Sequence, residues 1–134
     1  MVSSSFRLVV AAVIRGQDGR YLLARRLPKA HLGGLWEFPG GGVEDGELPE
    51  HALVRELHEE LGVQIRVLAP RTFSWHREPE KAVLLLFYDA EITQGTPRGL
   101  EGQEIGWFAP EELAKLSTPP ADAQLIRSLS ALEA

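Results

Sequence analysis

The chain has 134 residues, 44% hydrophobic and 25% charged, without repeats or low-complexity runs, which fits one globular domain over residues 1–134. It has no cysteine, which excludes disulfides, thiolate chemistry and cysteine zinc sites. The net charge is −5, and residues 41–63 alone hold seven acids against one base, so the acidity is local and no basic stripe points to long nucleic acid.

Met1–Ser5 lacks the basic region of a signal peptide, and the apolar run Leu8–Ile14 is too short to span a bilayer, so no membrane association and a cytoplasmic location are expected. Phe6–Arg15, rich in Val, Ile and Ala, reads as a buried strand. Gln17-Asp18-Gly19 marks a turn, and Tyr21–Arg25 reads as the return strand of a hairpin. Leu27–Gly34 is a loop, Leu35–Phe38 a short strand, and Pro39–Gly42 a turn.

A helix is expected over Leu48–Leu61, with Pro49 in its first turn and Gly62 as its stop. Its Leu53, Val54, Leu57 and Leu61 form an apolar stripe, and Glu56, Glu59 and Glu60 occupy a neighbouring arc. Val63–Leu68, Arg71–Arg77 and Ala82–Ile92 read as strands, followed by a loop over Thr93–Gly102. Glu104–Phe108 is a further strand, Pro110–Lys115 a short helix, and Ala121–Leu132 a final helix with Leu125, Ile126, Leu129 and Leu132 inward. The pattern suggests an α/β fold with a mixed sheet between helices.

Three carboxylates on one helix face repel one another unless something positive lies between them. Arg55 is the only base within residues 41–63, and a glycine-rich turn precedes the cluster. Such a site suits hard divalent cations. Mg²⁺ in particular is held by a few carboxylates together with substrate phosphates.

Gly41, then five residues, Glu47, then seven residues, and Arg55-Glu56-Leu57-His58-Glu59-Glu60-Leu61-Gly62-Val63 together resemble the signature of the Nudix hydrolase family. The resemblance implies a Nudix α/β/α sandwich and divalent-metal hydrolysis of a nucleoside diphosphate linked to another group, with Mg²⁺ as the metal and Mn²⁺ as a substitute. By position, Glu56, Glu59 and Glu60 resemble its metal ligands and the Gly40 carbonyl a backbone ligand. Arg55 would orient the carboxylates and Glu47 would brace the loop against the helix. Glu56 or Glu101 would accept the proton of the attacking water.

Gly34-Leu35-Trp36-Glu37-Phe38-Pro39-Gly40-Gly41 and Leu100-Glu101-Gly102-Gln103-Glu104 resemble the MutT branch, which cleanses nucleotide pools. That resemblance makes Glu101 a further metal-binding or catalytic acid, and Arg26 and His31 phosphate contacts. Thr118-Pro119-Pro120-Ala121-Asp122 resembles a segment whose amide reads oxidised guanine, but here the residue is Asp122. An ionised Asp only accepts hydrogen bonds, so it favours a base edge rich in donors. Phe38 could stack on the base and Lys81 could reach its edge. Trp36, Trp75 and Trp107 read as core or rim packing, and His58 and His76 as structural.

The expected substrate is therefore a small nucleotide, an oxidised purine triphosphate such as 8-oxo-dGTP or a cytidine-type one, cleaved to monophosphate and pyrophosphate. The alternatives are a Nudix hydrolase of a nucleotide sugar or dinucleoside polyphosphate, and a non-catalytic Nudix-like binding module. Monomer and homodimer both stay open.

Overall fold

The computed structural model describes residues 5–132. Seven strands and three helices follow in chain order: β1 Ser5–Ile14, β2 Tyr21–Arg25, β3 Trp36–Glu37, β4 Gly40–Gly42, α1 Pro49–Leu61, β5 Gln64–Arg77, β6 Lys81–Gln94, β7 Ile105–Phe108, α2 Pro110–Leu113 and α3 Pro120–Leu132. One sheet has the order β4-β1-β6-β5 and a smaller one β3-β2-β7.

β1 lies at the centre, parallel to β6 and antiparallel to β4. Both of its faces are covered, which is why its alternation in sequence is weak. Val10, Ala12 and Ile14 pack with Leu53, Leu57 and Leu61 of α1. Ala11 and Val13 pack on the other face with Leu125, Ile126 and Leu129 of α3. A sheet therefore separates two helical layers, as expected. The side chain of Leu132, also expected inward, lies outside the described residues, as do Met1–Ser4. Among the described residues no helix is long and apolar enough to cross a membrane.

Three sequence expectations change. Gly40–Gly42, expected within a turn, is strand β4, because its glycines let the chain lie close enough to β1 to pair with Val9–Ala11. Tyr21–Arg25 is a strand, but beyond a single Arg15–Tyr21 bridge it does not return along β1. Both edges of β1 are already taken by β4 and β6, so β2 pairs instead with β3 and β7. Likewise Val63–Leu68 and Arg71–Arg77 are one strand, β5, irregular around Val67–Thr72. Pro70 is tolerated there because β5 is an edge strand and the ladder is already interrupted.

The helix that carries the acidic cluster starts at Pro49 and stops at Gly62, which adopts φ +70° and donates its N–H to the His58 carbonyl. An L-residue in that left-handed conformation costs about 1–2 kcal/mol. Gly62→Ala is therefore expected to lower unfolding free energy by about that amount, which denaturant titration checks.

Candidate active site

Arg55 organises the acidic end of α1. Its Nε and Nη2 donate to both oxygens of Glu47 at 2.8 and 2.9 Å, and Nη2 also donates to the Gly42 carbonyl at 3.0 Å. Its Nη1 donates to Glu56 at 2.8 Å and to Glu59 at 3.4 Å. Such a planar fork satisfies several acceptors at fixed angles, which a lysine cannot do. One guanidinium thus ties the glycine strand β4, the loop before α1 and two of the three clustered acids into one unit.

The same contacts explain Gly41. A Cβ there would lie 2.4 Å from the Glu56 carboxylate, so only glycine lets β4 approach this face of the helix. The Glu47 carboxyl, bound by Arg55 and by the Glu44 N–H, titrates at about 2 rather than 4.5. A depressed carboxylate stabilises the fold above its ordinary value, and that contribution is lost as pH falls through 4.5 to about 2. Arg55→Lys is expected to flatten this acid dependence of the thermal midpoint and to lower turnover roughly 10–100-fold, as for other groups that orient ligands. Thermal scans from pH 2 to 6 together with steady-state rates check both.

Glu60 differs from Glu56 and Glu59 in having no arginine partner among the described residues. Burial, then the charge of Glu56, then that of Glu101, push its carboxyl far above the ordinary range. Glu60 and Glu101 line a cavity with Glu37, Gly40 and Gln103. Arg25 and Arg26 line it too, but its carboxylates and the Gly40 carbonyl offer oxygen donors, and the electrostatic strain on Glu60 is what a divalent cation would relieve. Among the described residues no three acidic or imidazole side chains converge on one point. Arg55 draws Glu56 and Glu59 to its Nη1, while the Glu60 carboxyl stays within hydrogen-bonding reach of Glu56.

A second cavity, of about 270 Å³, lies on the α3 side and is floored by Val9 and Ala11 of β1 and Val83 and Leu85 of β6. Arg26, Glu37 and Gly40 line both cavities, so the two adjoin. Arg26 donates to Glu37 at 2.8 Å and to the His31 carbonyl at 2.9 Å. Asp122 closes the second cavity and is only 3% exposed. Its Oδ2 accepts the Phe38 N–H at 3.4 Å. Burial first, then the charge of Glu37, raise its carboxyl to about 7, so near neutral pH it populates both a protonated donor and an ionised acceptor. Burial thus adds a protonated, donating form to the ionised acceptor considered from the sequence.

The remaining expected residues are distributed unevenly. Phe38 is buried edge-on against Phe87, its ring centroid 5.9 Å away, and also walls the Asp122 cavity. His31 and Lys81 do not line that cavity; both lie in an adjoining hollow, near opposite oxygens of Glu78. Glu101 is exposed at the rim. Arg7, Glu37, His76 and Glu78 also line the Asp122 cavity, and none of them stands out in the sequence as a site residue. For Arg7 and His76 a signal exists only in the register, since both face Val83 of β6.

Comparison with known proteins fits this geometry. The NUDIX domain model matches residues 5–129. The chain belongs to the Nudix hydrolase family. It is 35% identical to the 8-oxo-dGTP diphosphatase of Escherichia coli over 129 residues, covering 92% of this chain and 96% of that one. It is 40% identical to the CTP pyrophosphohydrolase of the same organism over 127 residues, covering 94% and 93%. The solution structure of the E. coli ORF135 protein superposes with a TM-score of 0.82 at 36% identity, covering 98% of this chain and 93% of that one. Nudix hydrolases act on small nucleotide substrates and generally use divalent metal ions, and the oxygen-rich donor set here suits such ions.

Proposed function

We propose that this Nudix hydrolase removes pyrophosphate from an oxidised purine or cytidine-type nucleoside triphosphate, working in the cytoplasm with Mg²⁺, for which Mn²⁺ can substitute. The observation that carries the reading is the adjacency of two chemically different cavities. One is apolar-floored and closed by Asp122; the other is lined by Glu60 and Glu101; Arg26, Glu37 and Gly40 are common to both. A nucleotide has the same two ends, a flat base and an anionic tail. The names of the relatives, 8-oxo-dGTP diphosphatase and CTP pyrophosphohydrolase, point to the same substrate class.

The residues divide the work. Glu56, Glu59, Glu60, Glu101 and the Gly40 carbonyl would hold the cations, which when bound neutralise the phosphates and polarise their oxygens. Arg55, braced by Glu47, keeps Glu56 and Glu59 oriented. Arg26 suits a phosphate oxygen because its fork can bond two acceptors, and His31 and Lys81 supply nearby donors toward the tail or the base edge. Glu56 or Glu101 accepts the proton of the attacking water. Phe38 and Asp122 contact the base, Asp122 through hydrogen bonds to its edge.

A nucleotide panel tests the proposal. With Mg²⁺, 8-oxo-dGTP, dGTP, CTP and 5-substituted dCTP are expected to yield monophosphate and pyrophosphate with unequal kcat/KM. Release of a sugar phosphate from nucleotide sugars, with triphosphates inert, would redirect the assignment to that substrate class.

A further inference from the structure

The last carbonyls of any helix lack partners within the helix and must find them elsewhere. In α1 the loop after β6 supplies them. Leu100 donates its N–H to the Glu60 carbonyl and Arg98 donates to the Leu61 carbonyl, each at 3.0 Å. The loop is thus a cap for the helix that bears the acidic cluster, although about 40 residues separate them. Capping alone would leave Glu101, which is exposed, free to swing.

The Gln103 side chain fixes the main chain that carries it. Its Nε2 donates to the Glu60 carbonyl at 3.2 Å, and its Oε1 accepts the Glu101 N–H at 2.9 Å. A single amide therefore bonds the main chains of two acids that line the same cavity. Only an uncharged group that both donates and accepts can do this without adding charge to an acidic site. Glutamate in its place would lose the donor, and an aliphatic side chain would lose both bonds.

We propose that Gln103 is a positioning residue that sets Glu101 beside Glu60 and thereby completes the cation site. The proposal rests on the reading of Glu101 as a carboxylate of that site. The test measures Mn²⁺ binding to substrate-free protein by paramagnetic resonance, and kcat and KM for the preferred triphosphate. The proteins are wild type, Gln103→Leu, Glu101→Gln and the double variant.

Gln103→Leu is expected to weaken Mn²⁺ binding and lower kcat about tenfold with KM little changed, the scale found for groups that orient metal ligands. In the Glu101→Gln background the same substitution is expected to change either quantity less than about twofold, because coupled residues are non-additive. Equal losses in both backgrounds would mean a merely structural role and overturn the proposal. So would a silent Gln103→Leu beside a defective Glu101→Gln. If Glu101→Gln itself matches wild type, the Glu101 assignment fails and the positioning role with it. Gln103→Met, apolar and matched in length, repeats the test should leucine disturb the loop.

Discussion

Glu56→Gln is expected to lower kcat by about 10³-fold, at the upper end of the loss seen when one preorganised electrostatic group is removed, while leaving the thermal midpoint nearly unchanged. The substitution keeps the side chain's volume, so the tight approach of Gly41 to this group survives. Only the charge goes. Glu56 is less exposed than Glu59, with 15% of its side chain accessible against 54%, so solvent screens its charge less. A neutral amide here weakens cation binding and cannot accept a proton. Steady-state kinetics over a Mg²⁺ series checks it. Turnover within tenfold of wild type would remove Glu56 from the catalytic set, and absence of Mg²⁺-dependent turnover in the wild-type protein would favour a binding module.

The contrast between what was readable in the sequence and what was not follows from distance along the chain. Gly41, Glu47, Arg55, Glu56, Glu59 and Glu60 lie within 20 residues, and a helical period places the acids of α1 relative to one another without tertiary information. The Asp122 cavity could not be read that way. Its floor joins Val9 to Leu85 through the parallel register of β1 and β6, and no local pattern announces which distant strand will pair. The hairpin expected for β1 and β2 failed for the same reason: a turn signal says that the chain reverses, not which strand edges are still free. Glu37 looked like an ordinary acid in a short strand, yet Arg26 and the shared wall of two cavities make it central. Gln103 lies inside the Leu100–Glu104 resemblance, but nothing there marks its own part, because its side chain meets two backbone groups rather than other side chains.

Asp122→Asn is expected to stabilise the protein at pH 8 and to do almost nothing at pH 4. An unfolded aspartate titrates near 3.8, whereas the folded one titrates near 7. Between those values the folded state binds the extra proton, so stability falls as pH rises and the cost is complete above about 7. Asparagine fills the same space without that cost. A tenfold change in proton affinity is equivalent to roughly 1.4 kcal/mol, so the gain at pH 8 is on the order of a few kcal/mol. Thermal midpoints of the two proteins across pH 4–8 measure it, and parallel curves would show that Asp122 titrates normally. Substrate choice should move with the same proton. Wild-type selectivity between 8-oxo-dGTP and a cytidine-type triphosphate is expected to change between pH 6 and 8, since protonated Asp122 can donate to a base oxygen and ionised Asp122 cannot. The Asn variant presents donor and acceptor at every pH. Its selectivity should therefore be flat over that range, and a slope equal to that of wild type would place base recognition elsewhere in the cavity.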